Sequence, residues 1–156
     1  SSSLYFYIMY DAGLIMEAYL QVFYIVMALY GWLKWTKSIQ TNSNNRIRTW
    51  SNIKHFITIS SVIILATITG IILKKYSNAA LPFLDAFTSW GAIITTYMVA
   101  QKILENWIYW FVIDSISIYI FISRELYLTS MLFFFYLIII CFGYVSWRKK
   151  YLDSYE

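Results

Sequence analysis

The sequence predicts an all-α fold, a polytopic membrane helix bundle with about five spans. Three observations carry this. Of 156 residues, 60% are hydrophobic and only 13% are charged, against about 45–50% and about 25% in an ordinary soluble chain. Five apolar runs, Leu14–Trp35, Phe56–Leu73, Leu81–Ala100, Leu104–Ile122 and Tyr127–Trp147, are each long enough to cross about 30 Å of hydrocarbon as a helix. None alternates with a period of two, and each is about twice the length a spanning strand needs, so helices rather than a barrel are expected.

The lead-in Ser1–Tyr10 is too short to span and reads as an interfacial segment or the cut end of an earlier helix, which suggests a piece of a longer chain. The first run has no basic flank before it and is interrupted near its start by Asp11 and Glu17, so it is not read as a secretory signal. Thr36–His55 is polar and Asn-rich and is the one long connection; the remaining breaks are tight. Phe56–Leu73 is the shortest run, and the orientation of everything after it depends on its crossing. If all five cross, nine of the 12 Lys and Arg residues fall on one side and Lys74, Lys75 and Arg124 on the other. The positive-inside rule then puts the Thr36–His55 loop and the C-terminal tail in the cytoplasm. Placed in these breaks, the basic residues report orientation, not nucleic-acid binding.

Tyr24-x6-Gly31-Trp32-x2-Trp35 in the first helix recurs as Tyr136-x6-Gly143-Tyr144-x2-Trp147 in the last. Both helices end on the same side, so the recurrence implies a parallel repeat about an axis along the membrane normal, a known way of building transporters.

Polar side chains within spans are costly in lipid and face a cavity or a partner helix. At about 100° per residue, Asn106, Ser117, Trp110, Asp114 and Trp107 share one face of the fourth helix, and Ile108, Val112, Ile116 and Ile120 lie opposite with Tyr109 and Tyr119. On the third helix, Asp85, Ser89, Ala92, Thr96 and Ala100 form a narrow stripe of small and weakly polar residues, suited either to close packing or to lining a cavity. Asp85 also suits a first-turn acid after Leu81-Pro82. Glu17, Gln21, Tyr24, Ala28, Gly31 and Trp35 make the corresponding face of the first helix, on which Gln21 needs either a neighbouring helix or the hydroxyls of a bound molecule. Trp32, Trp35, Trp50 and Trp147 suit interfacial belts. Trp110, deeper and beside Asp114, offers a π surface for an aromatic or cationic ligand. His55, beside Lys54 at a span boundary, reads as a solvated flank residue. The single Cys141 excludes an intrachain disulfide or cysteine metal site. A phosphate loop, a nucleophile elbow and paired histidines are all missing, so neither an enzyme nor a cofactor or metal is expected.

Leu20-Gln21-x2-Tyr24-x5-Tyr30-Gly31-Trp32-x2-Trp35, Ala80-Leu81-Pro82-Phe83-Leu84-Asp85-Ala86, Glu105-Asn106-Trp107-x2-Trp110-x3-Asp114 and Gly143-Tyr144-x2-Trp147 occur in that order. Together they resemble the PnuC family of bacterial nicotinamide riboside transporters, over about residues 14–149. The resemblance implies a SWEET-like fold, two three-helix bundles joined by a linking helix. Residues 1–35 would hold the last helix of the first bundle, with its earlier helices absent, 36–55 a cytoplasmic loop, 56–75 the linker helix and 80–150 the second bundle. A cavity between bundles would then be open on one side in the chain as given. It further implies facilitated diffusion of a flat pyridinium riboside across the bacterial inner membrane, with phosphorylation inside the cell trapping it. The expected contacts are Trp110 and Trp107 for the ring, Gln21 and Asn106 for ribose hydroxyls, Asp114 and Asp85 for the positive charge, and Tyr24 beside Gln21. The expected partners are this small molecule and the lipid bilayer, with no nucleic acid; a homo-oligomer stays open. A related thiamine or riboflavin carrier and a non-transporting structural membrane subunit are the alternatives.

Overall fold

The computed structural model describes residues 15–40, 46–76 and 81–153, and within the first helix the side chains of residues 22–33, 35 and 36. These residues form five helices, α1 (Ile15–Gln40), α2 (Asn52–Tyr76), α3 (Pro82–Ala100), α4 (Asn106–Ser123) and α5 (Tyr127–Asp153). Each holds one of the predicted runs. The run that looked short, Phe56–Leu73, is the middle of a 25-residue helix, about 37 Å long at 1.5 Å per residue. The helix reaches out through Asn52 at one end and Tyr76 at the other, and the loop expected over Thr36–His55 is correspondingly shorter. Residues 41–45 of that loop lie outside the described residues.

By length and composition α2, α4 and α5 can cross a membrane, and the apolar stretch Val22–Leu33 of α1 is shorter. On α2, the buried residues Val62, Ala66 and Gly70 recur every fourth position, so one narrow face packs inward, flanked by half-buried residues such as Leu65 and Thr69, and most of the remainder is exposed. On α5 the buried residues are Ser130 and Ile140, and Leu128, Phe134, Ile139, Phe142 and Val145 are exposed. Apolar surface of this extent is stable only against lipid or another apolar partner.

The chain divides into two compact units. In the first, α1 packs with Val99–Gln101. The Trp35 indole N–H donates to Ala100 O at 3.2 Å, Gln101 Nε2 donates to the Tyr30 hydroxyl at 3.1 Å, and a methyl built on Gly31 would rest 3.8 Å from Ala100 Cβ.

The second unit runs from Arg46 to Met98 and onward from Lys102. Its helices run antiparallel in chain order. At one end, Arg48 N–H donates to Lys102 O at 2.9 Å and Leu104 N–H donates to Arg48 O at 2.8 Å, a parallel bridge that holds the segment before α2 against the α3–α4 turn. These two segments thus share an end, as the charge count expected. Between α2 and α3, the Trp90 indole N–H donates to Thr69 Oγ1 at 3.0 Å, and the Phe83 ring lies over Gly70. Between α3 and α4, Gly91 faces Ile113, and at the far end Arg124 Nη2 donates to Asp85 Oδ2 at 2.7 Å. Phe121 of α4 and Phe133 of α5 meet with ring centroids 5.0 Å apart.

Of the Asp85–Ser89–Ala92–Thr96–Ala100 stripe on α3, Ala92 and Ala100 are buried, Asp85 and Thr96 half-buried and Ser89 exposed. The buried surface extends beyond the stripe to Thr95 and Met98, which have no exposed surface. Thr95 can sit there because its hydroxyl donates to Gly91 O of its own helix at 2.7 Å, so it demands nothing of a neighbour.

Both tight turns are built alike. Lys102 and Glu125 adopt left-handed conformations, with φ of 57° and 60°. Behind them Ile103 N–H donates to Met98 O at 3.0 Å and Leu126 N–H to Phe121 O at 2.9 Å, the six-to-one bond of a Schellman motif. Glycine is the ordinary occupant of that position, and a side chain there costs about 1 kcal/mol. Glu125→Gly is therefore expected to hold or raise stability by up to about 1 kcal/mol, and Glu125→Val to lower it by about 1–3 kcal/mol. Thermal unfolding in detergent reads both.

Candidate functional site

The inward face of α4 gathers the polar residues. Asn106 has no exposed surface, Asp114 is 4% exposed and Ser117 is 7% exposed, whereas Ile108, Val112 and Tyr119 on the other side are exposed. Trp110 is half-buried and, at 1.5 Å per residue, lies about 6 Å along the axis from both Asn106 and Asp114. The predicted polar face is thus turned inward. On the opposite face Ile120 is buried too, at 4%, since that end of α4 is covered on more than one side.

Asn106 follows directly on the Schellman turn. Its Nδ2 donates to Ile103 O, which also accepts the Asn106 backbone N–H at 3.2 Å, while its Oδ1 is buried without a hydrogen-bond partner among the described residues. The next side chain shows the complementary deficit, for the Trp107 indole N–H is buried and also unpartnered. Leaving a buried polar atom unmatched costs about 1–3 kcal/mol. Glu105 Oε2, just before α4, is buried and unpartnered as well, and two free acceptors and one free donor on three consecutive residues can serve a ligand that carries hydroxyl or amide groups. No hydrogen bond or ion pair involves Asp114 among the described residues, so its carboxyl is also available to a ligand.

Trp107 is held by α5. A methyl built on Gly143 would collide with the indole carbons of Trp107, and the Trp147 ring meets Trp107 edge-on at 5.5 Å and 86°. Glycine at 143 creates the notch, and Trp147, one turn on, closes it. The recurrent Gly-x3-Trp spacing has a matching use in the first unit, where Gly31 and Trp35 both meet Ala100.

Asp85 stands apart from these residues. It lies near the start of α3, half-exposed, paired with Arg124 beyond the last residue of α4, about 27 Å along the axis from Asn106. Its charge is matched within the protein. Tyr24 is half-buried on α1 in the first unit, and the side chain of Gln21 lies outside the described residues.

A further cluster was not legible from the sequence. His55 is not a solvated flank residue. Its side chain is 20% exposed, its Nδ1 shares a 2.8 Å hydrogen bond with the Tyr109 hydroxyl, and its Nε2 lies 3.6 Å from Glu105 Oε1. The same oxygen accepts the Trp50 backbone N–H at 3.2 Å, and the His55 and Tyr109 rings are stacked with centroids 5.8 Å apart. The contacts tie the first turn of α2 to the first turn of α4. The only sequence signal was a histidine at a span boundary, and pairing it with Glu105 and Tyr109 required the fold.

Two substitutions separate the packing roles from any binding role. Gly143→Ala is expected to lower stability by about 1–3 kcal/mol by displacing the Trp107 indole, and pairing it with Trp107→Phe, a smaller ring, should recover part of the loss. Fluorescence-monitored thermal unfolding of the four members of that cycle measures the coupling.

With this geometry in view, comparison with known proteins is specific. The family model described as nicotinamide mononucleotide transporter matches residues 1–149. The nicotinamide riboside transporter PnuC of Escherichia coli is 22% identical over 160 residues, covering 86% of this chain and 65% of that protein. The riboflavin/roseoflavin transporter RibM of Streptomyces davaonensis is 21% identical over 132 residues, covering 81% of this chain and 61% of its own length. The chain thus spans less than two thirds of either relative. The crystal structure of the vitamin B3 transporter PnuC matches the fold with a TM-score of 0.74 over 98% of this chain and 70% of that one, at 19% identity. A family match over nearly the whole chain, on a bundle of apolar helices with a polar inward face, settles the assignment: the protein belongs to the nicotinamide mononucleotide transporter family of multi-pass membrane proteins.

Proposed function

We propose that this protein carries nicotinamide riboside across the bacterial inner membrane by facilitated diffusion, with phosphorylation inside the cell trapping the vitamin. The observation that carries the reading is the inward face of α4, where Asn106 and Asp114 are buried and Trp110 lies between them. Nicotinamide riboside combines a flat cationic ring, a carboxamide and ribose hydroxyls. Trp110 suits the ring by π-face attraction, and the Asp114 carboxylate suits its charge. The free Asn106 Oδ1 and Trp107 Nε1 suit a hydroxyl or the carboxamide. Asp85, already paired with Arg124, is proposed to act chiefly on α3–α4 geometry. Such a role needs no nucleophile, cofactor or metal, and we read the protein as a carrier, not an enzyme.

The proposed organisation follows the same family. α1 supplies the last helix of a first bundle, the connection between α1 and α2 a cytoplasmic loop, α2 a linking helix, and α3, α4 and α5 a second three-helix bundle. The successive antiparallel pairs of α3 with α4 and α4 with α5 suit that last assignment. On this reading the C-terminus is cytoplasmic.

A riboflavin carrier is the second reading, favoured by the relative RibM at nearly the same identity as PnuC. Calorimetric titration of the intact protein with nicotinamide riboside, riboflavin and thiamine decides between them. Saturable binding of the riboside with weak or absent binding of the others is expected, and tight binding of either other vitamin alone overturns the assignment.

Substitution then locates the site. Trp110→Ala is expected to weaken riboside binding by about tenfold or more. Asn106→Leu removes both the bond to Ile103 and the orphaned acceptor, so it should leave thermal stability within about 1–2 kcal/mol while lowering affinity by a similar factor. Unchanged affinity in both variants would count against α4 as the binding face.

A further inference from the structure

The second unit separates its cations unequally between its two ends. At the end formed by the start of α2, the α3–α4 turn and the tail of α5 stand Arg46, Arg48, Lys54, Arg148, Lys149 and Lys150, all exposed. Two contacts bring them together. The backbone bonds between Arg48 and Lys102 hold the first group at the turn, and the Trp107–Trp147 edge contact holds the α5 tail beside the start of α4. Among the described residues none of these six takes part in an ion pair. Of the acids nearby, Glu105 is engaged by the Trp50 N–H and lies against His55, which leaves Asp153, exposed on the last turn of α5. At the opposite end the balance differs. Arg124 is paired with Asp85, and the Lys75 ammonium lies 5.3 Å from the Tyr76 ring centroid.

We propose that the basic end of this unit is a binding surface for anionic phospholipids, with Arg148, Lys149 and Lys150 as its principal contacts. Three consecutive cations at about 100° intervals spread around the α5 tail and reach headgroups on several sides. Immediately below them on α5, Val145 and Phe142 are exposed apolar surface, and Ile53 and Phe56 are exposed at the start of α2. A phospholipid satisfies both requirements in one molecule, since its phosphate meets the cations and its acyl chains cover the apolar side chains beneath. A soluble acidic protein would meet the first requirement and leave the second. Juxtamembrane cations are drawn to an anionic leaflet in this way, and the attraction falls with salt.

The inference is independent of which vitamin is carried. The test uses the intact protein in nanodiscs of phosphatidylcholine containing about one third phosphatidylglycerol, a composition that gives a strongly anionic surface. Lipid retained after release is counted by native mass spectrometry, and thermal unfolding is compared with pure phosphatidylcholine discs. Preferential retention of phosphatidylglycerol and a higher unfolding temperature in its presence are expected. Arg148→Gln/Lys149→Gln/Lys150→Gln should reduce retention by at least about fivefold, and Lys74→Gln/Lys75→Gln at the other end should not. If the triple variant does not insert, a salt titration of the unmodified protein and the variant Arg46→Gln/Arg48→Gln read the same contact. Equal retention of the two lipids by the unmodified protein, or loss of retention only with the Lys74/Lys75 variant, overturns the proposal. So does an equal rise in unfolding temperature on adding inorganic phosphate to phosphatidylcholine discs, which would assign the surface to free anions.

Discussion

In hydrocarbon, a polar group that finds no partner in the protein finds none at all, and that constraint runs through every part of this structure. The backbone satisfies it by helix formation and, at the two tight turns, by Schellman bonds that recover the carbonyls of Met98 and Phe121. Side chains satisfy it locally. The hydroxyls of Ser61, Thr67, Ser115 and Ser123, all on exposed positions, each donate to the carbonyl four residues back, so a serine or threonine can face the bilayer without an interhelical partner. Thr95 does the same while fully buried. Against this background the unmatched atoms stand out. Glu105 Oε2, Asn106 Oδ1 and Trp107 Nε1 break the rule in a row, at the point where the bound molecule is proposed to sit.

Helix α4 is where the remaining contacts of the second unit meet. It touches α2 through Tyr109 and His55, α3 through Ile113 and, just past its last residue, Arg124, and α5 through Trp107 and Phe121. A helix held on three sides presents whatever polar groups it carries at fixed positions. The arrangement has a stability consequence as well. Gly143 is needed because the indole of Trp107 occupies the space its side chain would take, so this tryptophan pins α5 against α4. Trp107 is thereby more constrained than Trp110, and the latter is the better candidate for a ring platform that receives a ligand.

The recurrent Gly-x3-Trp spacing gains a physical meaning from the two units considered separately. In each, the glycine permits close approach of another segment and the tryptophan one turn later completes the contact, by a hydrogen bond to Ala100 O in one case and by an edge-on aromatic contact in the other. The spacing is conveyed by helix geometry alone, since residues four apart lie on one face. The contacts differ in chemistry, which suits a repeat whose halves have diverged.

Several features were legible before any fold was known, and for a common reason. Helix number, the membrane environment and the inward face of α4 all follow from hydrophobicity and the 3.6-residue period, which are properties of one segment read by itself. Asn106, Trp110 and Asp114 were identifiable because polar groups are rare in spans and these share a face. Other features depend on two distant segments meeting. The turns carry Lys102 and Glu125 where glycine would have announced them, because the bonds that hold each turn, not the residue's own preference, impose the left-handed conformation. Asp85 has Arg124 as its partner, His55 has Glu105 and Tyr109, and the buried side of α3 takes in Thr95 and Met98 beside Ala92 and Ala100. In those cases the side chain alone is compatible with several environments, and only the packing of neighbouring helices selects one. The sequence by itself determined what must be covered by lipid and which groups are costly to leave there; the tertiary structure decided which of those groups are satisfied by one another, since a hydrogen bond or an ion pair requires both partners in place.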